Sequence, residues 1–215
     1  MPLWKEQEWE HGHQWAVWKI EEDEKFFFDH LVLHESESAE VAQLKGRRRL
    51  EWLASRYLVH LMVSDEPDWD RIPLLKDEFG KPHLDDHELY VSFSHSYDFV
   101  AVILGRMTVG IDIQKFVPKI TALERKFMRE EESVSLGKMS RLEHLHIYWG
   151  AKEALYKCYG RRQLDFKQHI LVEPFAYQES GKTSGTVSKN GFHQTYDIFF
   201  EKSDNYFLVH ALETD

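Results

Sequence analysis

Apolar residues recur every second position in some stretches of the chain and at helical spacing in others, and the changes between these two periods mark out the elements. Residues 14–20 read as a strand, and residues 38–62 carry helical spacing through Val41, Leu44, Trp52, Leu53, Leu58 and Leu61. A polar turn is expected at 64–70 and a second turn at 77–82, followed by short apolar strands at 89–94 and 99–104. Gly105 and Arg106 read as a tight turn into a strand at 108–114, which would make a β-hairpin. Residues 120–137 are charged and predicted helical, and 141–159 form the strongest helix of the chain, with Gly160 as its stop. The tail returns to strands at 170–177, 184–188, 192–200 and 206–211, with Asn190-Gly191 as a hairpin turn. Each half therefore holds strands and a long helix. The expectation is an α+β fold of two lobes, residues 1–107 and 108–215.

Composition narrows the class. Hydrophobic residues make up 42% of the 215 and charged residues 30%, the balance of a globular chain with its own core. The longest apolar run, residues 99–104, is far below the roughly 18 residues that cross a bilayer, so no membrane span is expected. The opening MPLWKEQEWE lacks the basic-then-apolar pattern of a leader, which makes the cytoplasm the expected location. Cys158 is the single cysteine, so neither an internal disulfide nor a thiolate zinc cluster can form. A net charge of −10 argues against general nucleic-acid binding. Three local basic groups remain: Lys45 with Arg47, Arg48 and Arg49; Arg125, Lys126 and Arg129; and Arg161, Arg162 and Lys167.

Three places carry candidate chemistry. On a strand through Val109-Gly110-Ile111-Asp112-Ile113-Gln114, the apolar residues share one face and Asp112 and Gln114 the other. On the helix 141–159 apolar residues occupy most of the circumference, leaving a strip of Glu143, His146, Gly150, Glu153 and Lys157. Two readings of Glu153 and Lys157 stand at this level: a surface ion pair one turn apart, or two groups facing a polar site roofed by protein. The third place is Ser94-His95-Ser96 at a strand end, where hydroxyls, amides and an imidazole suit a phosphate.

The order of these segments resembles the Sfp-type 4′-phosphopantetheinyl transferases. Ser94-His95-Ser96, GIDIQ at 110–114 and WGAKEALYK at 149–157 look like three signature regions of that family, the last matching W-x-x-K-E-x-x-x-K at Trp149, Lys152, Glu153 and Lys157. Arg47 to Arg56 resembles its arginine-bearing helix and Gly80-Lys81-Pro82 its Gly-Lys-Pro turn. The resemblance spans roughly residues 45 to 160. It implies two similar α+β lobes forming a pseudo-dimer, with coenzyme A as substrate in the cleft between them and Mg²⁺ as cofactor. It implies Asp112, Gln114 and Glu153 as metal ligands, Glu153 and Lys157 as catalytic residues, and Arg47, Arg48, Lys81, Ser94, His95 and Lys157 as contacts for coenzyme A. At position 114 the common family residue is Glu. The amide here supplies an oxygen but no charge, so weaker metal binding is expected.

The implied reaction moves the phosphopantetheine arm of coenzyme A to a serine of an acidic apo carrier protein. The basic residues Arg125, Lys126, Arg129, Lys138 and Arg141 are candidates for docking it. Lys152 falls on the apolar arc, so two readings stand, a snorkelling side chain or a buried pair, rather than a substrate contact, and Arg56 is expected to be structural. A chain that forms its own cleft needs no partner subunit, so a monomer is expected. The competing reading is a non-catalytic coenzyme A or nucleotide-binding protein with a weakened metal site. A histidine metal site at His30 and His34, spaced as on one helix, lacks a His-Glu-x-x-His pattern. A P-loop at Gly181-Lys182-Thr183 would need glycine where Ala176 stands, so that stretch is expected to be a turn.

Overall fold

Residues 3–10, 12–63, 72–85 and 88–214 are described by the computed structural model. The chain divides into two units, Met1–Arg106 and Met107–Asp215. The turn expected at 64–70 lies outside the described residues.

The first unit contains β1 (Leu3–Glu10), β2 (His13–Lys19), α1 (Glu24–His30), α2 (Glu35–Ala42), α3 (Gly46–Val63), β3 (Leu74–Lys76), β4 (Pro82–Leu84), β5 (Tyr90–Ser96) and β6 (Phe99–Gly105). The strands form one antiparallel sheet in the order β1-β2-β6-β5-β4-β3. Strand β6 is buried along its whole length, as its unbroken run Phe-Val-Ala-Val-Ile-Leu predicts for a central strand. Helix α3 lies against β6 and β2 and buries Trp52, Leu53, Ala54, Leu58 and Val59. Arg56 is 1% exposed on that helix, its guanidinium 3.9 Å from the Trp52 ring centre and 5.4 Å from that of Phe93. Burial pulls it down to about 10, with Glu40 opposing.

The second unit contains β7 (Val109–Lys115), a 3₁₀ turn (Pro118–Ala122), α4 (Glu124–Phe127), α5 (Glu130–Ser133), α6 (Arg141–Tyr159), α7 (Phe166–His169), β8 (Ile170–Val172), β9 (Ser180–Lys189), β10 (Phe192–Ser203) and β11 (Tyr206–Glu213). Its antiparallel sheet runs β7-β11-β10-β9-β8, and α6 packs across it. Asn190 and Gly191 take φ of 49° and 84°, the pair of positive angles that a type I′ hairpin turn demands. Gly160 ends α6 in the left-handed conformation, φ 67°.

Several elements depart from expectation, each for a physical reason. The hairpin across Gly105 and Arg106 does not form, because β6 is already flanked by β2 and β5 and has no edge to offer; β7 pairs with β11 instead. The helix expected over 38–62 is broken into α2 and α3, and Gly46 enters α3 at a φ of 54°. In place of one helix over 120–137 there are three short helical segments ending at Ser133, the 3₁₀ turn meeting α4 at Leu123 and α4 parting from α5 where Met128 and Arg129 become extended. The strand expected at 170–177 stops at Val172, two residues before Pro174, which has no N–H for a ladder. Gly181-Lys182-Thr183 is not a turn but part of β9, Gly181 standing opposite Phe200. His30 ends α1 and His34 precedes α2, so the two do not share a helix. Strand β1 and helix α1 were not expected from the sequence.

Lys152 organises the broken segment. It is 0% exposed, with its ammonium donating to the Phe127 carbonyl at 2.6 Å, to Glu132 Oε2 at 2.8 Å and to the Phe166 carbonyl at 3.2 Å. Glu132, also 0% exposed, accepts in addition from the N–H groups of Arg129 at 2.7 Å and Val172 at 3.0 Å. Every formal charge in this pair is met, which is the condition for burying one.

Two substitutions test these contacts. Lys152→Met leaves Glu132 charged and buried, and is expected to lower stability by about 3–5 kcal/mol in denaturant melts. Gly110→Ala would put a methyl 2.1 Å from the carbonyl oxygen of Ala154 on α6. The expected cost is about 3 kcal/mol, a fall in Tm of roughly 6–12 °C for a chain of this size. An unchanged Tm would show that β7 and α6 can separate freely.

Candidate active site

Strand β7 presents Gly110, Asp112 and Gln114 on one face, and α6 runs across that face. Gly110 allows the Ala154 backbone and the Cys158 sulfur of α6 to approach, and Gly150 of α6 gives way to the Gln114 amide and to Val209. With a side chain at either glycine the two elements would be pushed apart. Between these contacts sits Asp112, 7% exposed, opposite the helical turn that carries Glu153 and Lys157.

The Lys157 ammonium donates to the Ile111 carbonyl at 2.6 Å and to Asp112 Oδ1 at 3.0 Å. Two of its three N–H donors are thereby committed. Lys157 thus pairs across to the strand rather than with Glu153 along the helix. Glu153 is half-buried and its side chain makes no hydrogen bond to another described residue. Its carboxyl is pushed up to about 7, first by burial and then by the charge of Asp112, with Lys157 pulling the other way.

Gln114 closes the group differently from a ligand with a free oxygen. Its Nε2 donates to Asp112 Oδ2 at 3.3 Å and to the His146 carbonyl at 3.0 Å, while its Oε1 lies 2.8 Å from His146 Nδ1. His146 is 1% exposed, stacked on Phe207 at 5.3 Å with the rings 1° from parallel, and its Nε2 accepts from the Val117 N–H at 3.1 Å. Burial holds this imidazole below its ordinary value, so it is neutral at pH 7. The expectation of an amide oxygen offered at position 114 therefore meets an amide whose nitrogen faces Asp112. Sequence reasoning did not assign His146 a role, because its partners lie 29 and 32 residues away.

In the first unit, Arg47 bonds the Tyr97 carbonyl and pairs with Asp98 at 3.2 Å and Glu51 at 3.3 Å. His95 Nδ1 lies 3.2 Å from the other oxygen of Glu51. Glu51 thus brings Arg47 and His95 together; its i,i+4 spacing from Arg47 was the available signal. Ser94 is 8% exposed and occupies the opposite side of β5 from the exposed His95, because Ser94-His95-Ser96 is strand, not loop. Arg48 is exposed on α3. Lys81 stands apart from these, 6.0 Å above the Tyr90 ring in a concavity lined by Asp77, Pro82, His83 and Glu88.

Asp112 and Glu153 present the donor chemistry of a hard divalent cation: two carboxylates, one buried and one half-buried, with burial first and then repulsion by Asp112 raising Glu153. The residues fit Mg²⁺ in kind.

The model of the 4′-phosphopantetheinyl transferase superfamily matches residues 108–208, the stretch that holds β7 and α6. A holo-[acyl-carrier-protein] synthase of Halalkalibacterium halodurans is 38% identical over 90 residues, covering 36% of this chain and 76% of that protein. The 4′-phosphopantetheinyl transferase gsp of Aneurinibacillus migulanus is 28% identical over 114 residues, covering 52% of this chain and 46% of its own length. The chain belongs to the 4′-phosphopantetheinyl transferase superfamily. It is an enzyme of the phosphopantetheinyl transferase class.

The raised Glu153 gives a signed pH dependence. The native state holds that proton more tightly than the unfolded chain, so its contribution to stability is complete below about pH 4.5 and is lost as pH rises through about 7. In chelator, wild-type Tm is expected to fall relative to Glu153→Gln between about pH 5 and pH 7. Parallel Tm curves for the two proteins would mean that Glu153 ionises as an open surface carboxyl does.

Proposed function

We propose that this protein transfers the 4′-phosphopantetheine group of coenzyme A to a serine of an apo carrier protein, with Mg²⁺ as cofactor and adenosine 3′,5′-bisphosphate as the leaving product. The observation that carries the reading is the carboxylate pair of buried Asp112 and half-buried Glu153 with Lys157 beside Asp112, within the stretch that matches the superfamily.

Asp112 and Glu153 would hold the cation. When bound, the cation would supply charge neutralisation for the coenzyme pyrophosphate. The serine oxygen forms a bond to the β-phosphorus as the bond from that phosphorus to the departing bisphosphate oxygen breaks. Glu153 receives the serine proton, directly or through water. The Glu153 carboxylate makes no side-chain hydrogen bond to another described residue, which leaves it available for this proton. The remaining N–H of Lys157 donates to a phosphate oxygen, while its other two keep Asp112 and β7 in place. Arg47, Arg48, Lys81, Ser94 and His95 are assigned to the coenzyme's phosphates. The Arg47–Glu51–His95 cluster supports this by bringing a guanidinium and an imidazole together, and a phosphate there would compete with Glu51 and Asp98 for Arg47.

An acidic carrier would be met by Arg125, Lys126 and Lys138, which are exposed, with Arg129 and Arg141 paired to Glu131 at 3.5 Å and Glu124 at 2.5 Å. We assign the protein to the cytoplasm as a monomer; no helix among the described residues is long and apolar enough to cross a membrane.

Incubating the protein with coenzyme A, Mg²⁺ and a panel of apo carrier proteins, with intact mass as readout, tests the reading. Addition of phosphopantetheine is expected, dependent on Mg²⁺, and slowed at least ~100-fold in Glu153→Ala. Coenzyme A binding without transfer to any carrier would favour the non-catalytic binder.

A further inference from the structure

We propose that Gln114 is a positioning residue rather than a metal ligand: its side-chain amide, locked by His146, donates to Asp112 and keeps that carboxylate aimed at the cation. This deepens the proposed function and rests on its magnesium site.

The hydrogen bonds leave one consistent assignment. The His146 backbone carbonyl can only accept, so the Gln114 atom 3.0 Å from it is the nitrogen. The Gln114 oxygen then faces His146 Nδ1 at 2.8 Å, which must carry the proton. His146 Nε2 lies 3.1 Å from both the N–H and the carbonyl oxygen of Val117; with the proton on Nδ1 it accepts from the N–H, and the stack on Phe207 holds the ring plane. The chain of donors thus runs from Val117 through His146 and Gln114 to Asp112 Oδ2. To offer its oxygen to a cation beside Asp112, the amide would have to flip. The flip would set its nitrogen against the Nδ1–H, donor to donor, and its oxygen against the His146 carbonyl, acceptor to acceptor. Gly150 reinforces the seat, because the amide nitrogen occupies space that a Cβ there would fill, 2.8 Å away. Partners that orient a metal ligand without touching the metal typically change affinity by 10–100-fold when removed.

The test has two arms. In the first, the side-chain amide signals of Gln114 in the ¹⁵N-labelled wild-type protein are assigned by their absence in Gln114→Met. They are followed without metal, then with coenzyme A and Mg²⁺. A lock predicts a hydrogen-bonded amide in the metal-free protein that moves in His146→Phe, a variant that keeps the ring stack. It also predicts that both amide protons retain their partners when Mg²⁺ is added. Loss of those bonds on adding Mg²⁺ would mean ligation and overturn the proposal.

In the second arm, Mn²⁺ dissociation constants are measured in the presence of coenzyme A for wild type, Gln114→Met, His146→Phe and the double variant, with Tm recorded for each. Each single variant is expected to bind Mn²⁺ about 10-fold more weakly, and the double variant no more weakly than either, because His146 acts only through Gln114. Weakening in Gln114→Met alone would identify a ligand, and multiplying effects would identify two independent roles; either overturns the proposal. Absence of Mn²⁺ binding to wild type would overturn the magnesium reading itself. That outcome is distinguishable, because the metal-free amide spectrum reports the lock separately.

Discussion

The approach of α6 to β7 governs the second unit. At Gly110 the helix backbone comes so near that a single methyl group would collide with a carbonyl oxygen, and at Gly150 the helix yields space to the strand. Two glycines, one on each element, fix the separation and the slide of one past the other. Asp112 lies between these two points, so its position relative to Glu153 and Lys157 follows from backbone packing rather than from side-chain choice. The order in which strand residues meet helix residues is a register, and a shift by one residue would turn Asp112 away from the helix.

That register is held from the far side of α6 as well. Lys152 is next to Glu153 in sequence but points into the core, where it gathers Glu132 and three backbone carbonyls. Neighbouring residues on one helical turn therefore do opposite work: one anchors the helix to the segment before it, the other faces the strand. The two buried ion pairs differ accordingly. Lys152 and Glu132 are sealed, whereas Lys157 and Asp112 retain partial exposure and a donor not yet used.

The helix at 141–159 and its stop at Gly160 were legible because nineteen residues of pattern and a C-terminal glycine agree. The hairpin at Asn190-Gly191 was legible because its turn chemistry is local. The supposed hairpin at Gly105 and Arg106 failed although its turn residues were suitable. What decided it was the occupancy of both edges of β6 by β2 and β5, a fact of long-range pairing. Strand β1, with the sequence LWKEQEWE, shows too much charge for its alternation to stand out. In the site, the shared face of Asp112 and Gln114 and the one-turn spacing of Glu153 and Lys157 follow from periods of 2 and 3.6. The direction of the Gln114 amide does not. It depends on a histidine on another element and on a backbone N–H in a loop, and neither leaves a trace in local sequence.

The seat of residue 114 also bears on how such proteins diverge. Its two polar ends are matched to complementary groups: the Nδ1–H of His146 on one side, and the oxygens of Asp112 and the His146 carbonyl on the other. A glutamate placed in the same seat would satisfy the first and oppose the second with like charge and like lone pairs. Exchanging the amide for the acid would keep the partner at His146 and set two carboxylates side by side at 112 and 114, a pair that only a cation or a shared proton relieves.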